Sequence, residues 1–444
     1  MKEIIGSSVL ILGYGAEGQS VHCWLKKFYP RLKIGIADQN RDKNYLDAIK
    51  NYDTIVRSPG IPADSPALLK ASIAGKQLTS ATNIFFSVCP EKIIAVTGTK
   101  GKSTTASLIQ TILSTAYPDV RLVGNIGNPA LDYLDGADKN TLFVIELSSY
   151  QLEDIHYSPS IAVMLAIVPE HLDHHRGFKN YASAKSRIIR YQSPNDAVIF
   201  NPSHDVSAKL ANQSAAKKFC FSLEPDIASF CWIERGKIYA KGKDKISKLI
   251  IPTDEIPLLG EGNLENCMAA ITVGILMDVP LERIRKTITG FQPLEHRLEF
   301  VGEFRGIEFY DDSIATIPEA TIHAVKALGE KVETLILGGF DRGIDYSGLG
   351  LFLRQRKEIK TLILFPDTGK KIWQAVCGAT PQKKLEINMF EVSSMQEAVA
   401  IAFRQTSSGR VCLLSPASAS YNLYTNFKER GNEFKRQILT AFTP

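Results

Sequence analysis

The chain has 444 residues, of which 44% are hydrophobic and 22% charged, and its formal net charge at pH 7 is +5. This composition predicts a soluble globular protein with about three domains, at roughly 150 residues per domain, and the small, scattered charge argues against nucleic-acid binding. The seven cysteines include no Cys-x-x-Cys pair, and the chain lacks both a signal-peptide pattern and an apolar run of about 18 residues. We therefore expect a cytoplasmic protein without a disulfide framework, a zinc site or membrane insertion.

The N-terminal stretch alternates short apolar runs with helical patterns, which predicts a parallel sheet with crossover helices. The apolar run at 9–12 leads into Gly13-x-Gly15-x-x-Gly18, the spacing of the phosphate turn in dinucleotide-binding folds. Asp38 follows Gly18 by 20 residues, where such folds place a ribose-binding acid. This pattern alone indicates a nicotinamide-dependent dehydrogenase.

A second unit begins at KIIAVTG (92–98), where a predicted strand leads through a glycine turn into a helix. Gly98-Thr-Lys-Gly101-Lys102-Ser103 is a shortened phosphate loop, because Val96 stands where the full Walker spacing has its first glycine. Its N–H groups can cradle phosphate, Lys102 can reach the outer phosphates, and the Ser103 hydroxyl can bind magnesium. The alternative is a glycine turn with an incidental lysine.

The rest of the chain continues the alternation of strands and helices. Buried strands are predicted at 142–148 and 161–168, a hairpin-rich insertion or second sheet at 215–260, and a third unit of alternating strands and helices from about 297, with helices at 318–328 and 395–405. We predict an α/β fold of three consecutive domains. They are a Rossmann-like domain at 1–91, a P-loop-type central ATPase sheet with the hairpin-rich insertion at 92–295, and a Rossmann-like domain at 296–444.

Further motifs lie before and after the phosphate loop GTKGKST, in a fixed order along nearly the whole chain. SPGIP at 58–62 precedes the loop. The motifs that follow it are GNIG at 124–127, ELSSYQLE at 146–153, HLD at 171–173, HR at 296–297, DDSIAT at 311–316 and SPASAS…NFKERGNEF at 415–434. This ordered set resembles the Mur ligases, the ATP-dependent amide-forming enzymes of peptidoglycan precursor synthesis and relatives of folylpolyglutamate synthetase. Within the family, the pattern is most similar to the glutamate-adding members.

The resemblance implies a ligase that adds glutamate, with D-glutamate favoured, to UDP-N-acetylmuramoyl-L-alanine through an acyl phosphate. It implies ATP and two magnesium ions as cofactors, and a monomer. The alternatives are the L-glutamate-adding variant and a sister Mur or folylpolyglutamate-type ligase. A dehydrogenase would leave the phosphate loop and every later motif unexplained, and a non-catalytic nucleotide-binding protein would not need the whole set of implied catalytic residues.

The resemblance also implies the residues that bind metal and nucleotide. The metal ligands would be Ser103, Glu146, His171 and Lys185, the last as a carbamate. The nucleotide would contact Gly98, Thr99, Lys100, Gly101, Lys102, Ser103, Thr104, Asn263, Asn266, Arg297 and Asp312, and catalysis would involve Lys102, His171, Lys185 and Arg297. Taken singly, Lys185 would be a surface charge and the two asparagines a helix cap. We expect His174 and His175 to be solvated or structural.

Two substrate sites are implied by the same resemblance. The UDP-sugar acceptor would contact Gly15, Ala16, Asp38, Gln39, Gly60, Asn125, Ser148 and Gln151, and the glutamate would contact Thr316, Arg342, Ser420, Tyr421 and Phe427. Many relatives have lysine where this chain has Arg342, whose guanidinium suits a carboxylate. Ile314, Ala166 and Tyr421 depart from the family pattern near these sites, so the sequence leaves the choice between D- and L-glutamate open.

Overall fold

The computed structural model describes residues 3–89, 92–126, 128–226, 228–242, 244–378 and 386–442. The chain forms two compact units, Met1–Ile256 with Gly262–Phe291 and Pro257–Glu261 with Gln292–Pro444. Three sheets run in sequence along it, two in the first unit and one in the second. The predicted α/β fold is confirmed. Glu91, at the first predicted domain boundary, and Gly127, of the GNIG motif, lie outside the described residues. The division into three domains stays a prediction.

The N-terminal sheet has four parallel strands in the order β2-β1-β3-β4. The strands are β1 Ser8–Leu12, β2 Lys33–Ala37, β3 Thr54–Arg57 and β4 Gln77–Ser80, and the helices are α1 Ala16–Phe28, α2 Pro66–Ile73 and α3 Ala81–Val88. A 3-10 helix covers Tyr45–Asn51. A Cβ atom on Gly18 would lie 2.2 Å from the carbonyl oxygen of Gly13, so only glycine lets α1 pack this closely against the turn after β1.

The central sheet has nine strands in the order β13-β12-β11-β10-β9-β8-β5-β7-β6. The strands are β5 Ile93–Thr97, β6 Val120–Gly124, β7 Leu142–Glu146, β8 Ile161–Met164, β9 Ala197–Phe200, β10 Lys217–Ser222, β11 Cys231–Glu234, β12 Lys237–Lys241 and β13 Ser247–Pro252. Strands β5 to β10 pair in parallel, whereas β11, β12 and β13 form antiparallel hairpins. The hairpins predicted at 215–260 are therefore present, and they extend the edge of the central sheet through β10.

The helices of the central region alternate with these strands or follow them. They are α4 Lys102–Ser114, α5 Ser149–Leu152, α6 Leu172–His175, α7 Phe178–Ser186, α8 Asp205–Ala211, α9 Glu261–Leu276 and α10 Leu281–Thr289, with 3-10 helices at Ala130–Tyr133, Arg187–Ile189 and Thr253–Glu255. The carboxyl ends of parallel strands meet at one edge of a sheet, which is where open α/β folds bind ligands. Strand β5 delivers the phosphate loop there, and β7 delivers Glu146.

The C-terminal sheet has six strands in the order β14-β15-β19-β16-β17-β18, and only the β14–β15 pair is antiparallel among those described. The strands are β14 Glu299–Phe304, β15 Ile307–Asp311, β16 Val332–Gly339, β17 Thr361–Asp367, β18 Asn388–Glu391 and β19 Val411–Leu414. The helices are α11 Pro318–Leu328, α12 Ser347–Arg354, α13 Thr368–Cys377, α14 Met395–Gln405 and α15 Phe427–Phe442, with a 3-10 helix at Gly329–Lys331.

Each sheet buries apolar side chains on both faces, as strands covered by helices on both sides require. In the C-terminal sheet, Leu335 and Leu337 belong to the core on one face and Ile336 to the core on the other. In the first unit, a single core contains Val9 and Phe85 from the N-terminal region and Phe143 from the central sheet. All seven cysteines are described and are free thiols. None of the described helices is both long and apolar enough to cross a membrane.

Candidate active site

The phosphate loop connects β5 to α4. Gly101 is the N-cap of α4 with φ 83°, and a Cβ atom there would lie 2.3 Å from Oδ1 of Asn266, so this position accepts only glycine. Ser103 and Thr104 lie buried in the first turn of α4. The N–H groups of that first turn have no partners within the helix, which makes the loop a site for anionic phosphate.

Helix α9 holds the phosphate loop in place through two asparagines. Oδ1 of Asn266 accepts a hydrogen bond from Oγ1 of Thr105 at 3.0 Å, and Nδ2 of Asn266 donates to Oδ1 of Asn263 at 3.0 Å. Asn266 is buried, so its amide can satisfy its hydrogen bonds only with such protein partners or a ligand. Asn266 therefore lies beside the phosphate loop, and Asn263 is hydrogen-bonded to it.

Three lysines lie in or beside the phosphate loop, and each has a different hydrogen-bond partner. Nζ of Lys102 donates to the carbonyl of Thr99 at 2.9 Å, and Nζ of Lys100 pairs with Oε1 of Glu170 at 2.7 Å. Nζ of Lys185 donates to the carbonyl of Gly98 at 2.7 Å, and the lysine is only 1% exposed. Burial, reinforced by the positive charge of Lys102, holds the pKa of Lys185 well below its usual range. Lys185 is therefore a buried amine whose charged form is disfavoured.

Glu146 ends β7 with a carboxylate that is only partly satisfied. The residue is 1% exposed, and its Oε1 accepts a hydrogen bond from Nδ2 of Asn125 at 2.8 Å. Its Oε2 is buried and has no hydrogen-bond partner among the described residues. A buried carboxylate oxygen without a partner is costly unless a cation binds it. Because magnesium prefers oxygen ligands, the site fits that ion.

The histidine-rich segment 171–175 separates into two environments. His171 is half-exposed with φ 54°, and burial lowers its pKa despite the opposing charge of Glu170, so it offers a neutral imidazole. His174 and His175 instead face Glu153, with ring nitrogens 2.6 and 3.3 Å from its Oε1. Burial lowers the pKa of His175 to about 4, and its Nε2 lies 2.9 Å from the Ser149 hydroxyl. These contacts suit the structural role expected of the last two histidines.

The residues predicted to bind the UDP-sugar acceptor occupy the first unit. Gly15 and Ala16 lie at the start of α1. A Cβ atom added at Gly15 or at Gly60 would meet no neighbouring side chain or backbone within 4 Å, so both positions border open space. Asp38 accepts hydrogen bonds from the N–H groups of Tyr14 and Asn40, which lower its pKa and hold the glycine turn. Asn125 contacts Glu146, and Ser148 and Gln151 cap α5. Gln39 is exposed.

The second unit holds the residues predicted to bind glutamate and part of the nucleotide. Nη2 of Arg342 donates to the carbonyl of Thr316 at 2.7 Å. Ser420 is buried, whereas Tyr421 is exposed and lies 6.1 Å, between ring centroids, from the exposed Phe340. The carbonyl of Phe427, the first residue of α15, accepts a hydrogen bond from the Ser313 hydroxyl.

Asp312 is buried beside β19, and Arg297 lies close enough to act on its charge. Oδ2 of Asp312 accepts from the Ser415 hydroxyl at 2.8 Å, and Oδ1 accepts from the N–H of Leu298 at 3.2 Å. Burial outweighs these bonds and raises the pKa of Asp312 to about 7.

Two residues that sequence reasoning did not single out, the buried Arg430 and the partly buried Glu17, organise these sites. Arg430 is 1% exposed, and its guanidinium donates to the hydroxyl and carbonyl of Ser313 and to the carbonyl of Ser418. It thereby joins the DDSIAT and SPASAS segments. Glu17 accepts a hydrogen bond from Gln151. Both residues lie inside the motifs that were recognised, and an acid within a phosphate turn is the signal that could have identified Glu17.

Two family models match the chain. The model described as "Mur ligase middle domain" matches residues 96–274, and the one described as "Mur ligase, glutamate ligase domain" matches residues 296–418. Among similar proteins, the UDP-N-acetylmuramoylalanine–D-glutamate ligase of Acetivibrio thermocellus is 36% identical over 398 residues, which are 89% of this chain and 84% of that protein. The protein of the same name from Acidobacterium capsulatum is 33% identical over 458 residues, covering 98% and 97%.

Solved structures with a similar fold have much lower sequence identity. The MurF ligase of Thermotoga maritima, determined in complex with ADP, is 15% identical with a TM-score of 0.59 and covers 99% of this chain and 97% of its own. MurF from Acinetobacter baumannii is 17% identical with a TM-score of 0.62 and covers 84% and 87%. These structures support the fold assignment.

Proposed function

The chain belongs to the Mur ligase family, and from this premise we propose that it joins D-glutamate to UDP-N-acetylmuramoyl-L-alanine at the expense of ATP. The observation that carries the proposal is the meeting of the phosphate loop, the buried amine of Lys185 and the half-satisfied carboxylate of Glu146 at one end of the central sheet. Relatives that are 33% and 36% identical over most of both chains bear the name of this ligase.

The reaction has two balanced steps. The acceptor carboxylate attacks the terminal phosphorus of ATP, which releases ADP and forms an acyl phosphate. The neutral amine of glutamate then attacks the acyl carbon and an amide bond forms; phosphate leaves with the electron pair of the broken bond and takes up the proton that the amine loses. The N–H groups at the start of α4 would bind the ATP phosphates, and Lys102 would offset the charge that develops during transfer.

The chain's own residues offer a suitable place for magnesium, which when bound neutralises phosphate charge. Glu146, Ser103 and His171 would hold it, and two ions form part of the proposal. Lys185 fits a ligand role as a carbamate, because its neutral amine can form an N–C bond with carbon dioxide and lose a proton. That modification would replace a cation by an anionic oxygen donor. The free oxygen of Glu146 supports a cation at this place.

The remaining assignments form part of the same proposal. Glutamate would bind in the second unit at Thr316, Arg342, Ser420, Tyr421 and Phe427, with Arg342 paired to a carboxylate. Arg297 and Asp312 are proposed nucleotide contacts. The three-domain division, a monomeric state and a cytoplasmic location also stay predictions. Membership of the family leaves no support for a nicotinamide-dependent dehydrogenase.

The test is to measure ADP release and product mass with D-glutamate, L-glutamate and other amino acids in parallel. We expect ADP release only when both the UDP-linked acceptor and D-glutamate are present. Equal ATP hydrolysis without them would contradict a ligase. Preferential product formation with L-glutamate would favour the L-glutamate-adding variant, and activity only with another acceptor or amino acid would favour a sister ligase.

A further inference from the structure

Glu17 places a carboxylate within the glycine turn that begins α1, directly after Gly15 and Ala16. Its Oε1 accepts a hydrogen bond from Nε2 of Gln151 at 2.6 Å. Its Oε2 is inaccessible to solvent and has no hydrogen-bond partner in the part of the chain that the structure describes. Burial raises the pKa of Glu17, against the opposing effects of Gln151 and of the nearby charge of Arg57. Burying a carboxylate oxygen without a hydrogen-bond partner reduces stability, which indicates that Glu17 has a role other than keeping the surface polar.

The other end of the Gln151 amide closes the capping box of α5. Oε1 of Gln151 accepts from the N–H of Ser148 at 2.9 Å and from its hydroxyl at 3.0 Å, while the Ser148 hydroxyl accepts from the N–H of Gln151 at 3.3 Å. An amide has one accepting and one donating end. If it were reversed, its oxygen would face the Glu17 carboxylate and its NH₂ group would face the Ser148 N–H. Glu17 thus selects the orientation that the capping box needs.

Helix α5 carries the effect to the histidine segment. The Ser149 hydroxyl lies 2.9 Å from Nε2 of His175, and the Tyr150 and His171 rings are 5.1 Å apart between centroids. Because α5 has only four residues, its backbone orientation depends mainly on its cap and these side-chain contacts. The link therefore runs from the glycine turn through Gln151 to the loop that bears His171.

A cavity of about 10 Å³ lies beside this link, lined by Glu17, Gln151, Ser20 and Gly124 among others. Its size is about the least that holds a single water molecule. Loss of the Glu17 carboxylate would deprive Nε2 of Gln151 of its charged acceptor.

We propose that Glu17 is a positioning residue that joins the UDP-sugar turn to α5 and so sets the acceptor-binding geometry of Ser148 and Gln151. This inference rests on the proposed ligase function. Because Glu17 acts on the acceptor side through Gln151, its loss should weaken use of the UDP-linked acceptor and leave ATP use unchanged. A rise in KM for the acceptor without a rise in KM for ATP separates this role from a general contribution to folding.

The first experiment compares Glu17→Ala and Glu17→Gln in the full chain by measuring KM and kcat for each substrate. We expect Glu17→Ala to raise KM for the acceptor about tenfold or more and to keep KM for ATP within about twofold, since a charge-assisted hydrogen bond is lost. Glu17→Gln should retain most activity because its amide oxygen still accepts from Gln151. Glu282→Ala removes an exposed first-turn glutamate from α10 and is the matched control.

The second experiment reverses the hydrogen bond. Gln151→Glu alone places two carboxylates together and should lower the Tm, whereas the swapped pair Glu17→Gln/Gln151→Glu restores one donor facing one acceptor and should recover it. Unchanged acceptor KM in Glu17→Ala, an equal rise in KM for ATP, or no recovery of the Tm in the swapped pair would overturn the inference. Wild-type activity with the acceptor is measured first, because its absence would refute the proposed function itself.

Discussion

At the scale of single residues, the candidate site is marked by ionisable groups buried away from water. Lys185, Glu146 and Asp312 are each at most 8% exposed. Burial disfavours the charged forms of Lys185 and Asp312, and one oxygen of Glu146 has no partner among the described residues. Such groups reduce stability unless a ligand uses them, so they are more informative about function than surface charges of the same type.

Replacing Asp312 by Asn should stabilise the protein in a pH-dependent way. The pKa of the folded-state carboxyl is about 7, above its usual value near 4, so the folded state binds more protons than the unfolded state between these values. Wild-type stability therefore falls as pH rises through this window, and the Asn variant lacks that loss. We expect its Tm to exceed the wild-type Tm by a larger margin at pH 8 than at pH 5.

Differential scanning calorimetry at both pH values would measure this margin. Asp254→Asn makes the same change of charge at an exposed position and is the control. An equal difference in Tm at pH 5 and pH 8 would show that Asp312 does not titrate as described. Ser415 should remain hydrogen-bonded in the variant, because its hydroxyl can donate to or accept from an amide.

At the scale of elements, the phosphate loop depends on α9 as much as on its own glycines. Thr105 is 161 residues away in sequence from Asn266, yet the Asn266 amide contacts it and occupies the space beside Gly101. A local helix cap would not require a contact outside α9. Asn266 instead connects α9 to α4 and the phosphate loop, and Asn263 bonds to its amide.

Asn266→Ala should weaken ATP binding without affecting the acceptor site. It removes the partner of the buried Thr105 hydroxyl and opens space beside Gly101, so the loop loses its support. We expect KM for ATP to rise about tenfold or more and KM for the UDP-linked acceptor to stay within about twofold in steady-state assays. Asn212→Ala, at an exposed asparagine, is the control. An unchanged KM for ATP would show that α9 does not shape the loop.

At the scale of the whole molecule, the proposed binding residues are distributed over three sheets. The glycine turn after β1 and the phosphate loop after β5 both lie in the first unit, and the proposed glutamate residues lie in the second. The two glycine turns have the same strand–turn–helix design, yet they are proposed to bind different anions. The first would bind the diphosphate of the UDP-sugar, and the second the phosphates of ATP.

Lys102→Ala tests whether these are separate sites. The lysine belongs to the phosphate loop, so its loss should lower kcat at least about a hundredfold by removing charge stabilisation in phosphoryl transfer. Binding of the UDP-linked acceptor, measured by isothermal titration calorimetry without ATP, should keep its Kd within about twofold. Simultaneous loss of turnover and acceptor binding would contradict two separate sites. The exposed Lys139→Ala serves as the control.

The sequence by itself determined the local structures: apolar runs became buried strands, and each glycine turn leads into a helix, as for Gly13 to Gly18 and for the phosphate loop. Such features depend on neighbouring residues, so period and turn chemistry predict them. Only the tertiary structure decided that the hairpins at 217–252 extend the central sheet, that His174 and His175 face Glu153, and that Glu17 meets Gln151. Strand pairing, burial and pKa depend on residues distant in sequence, and packing alone brings those together.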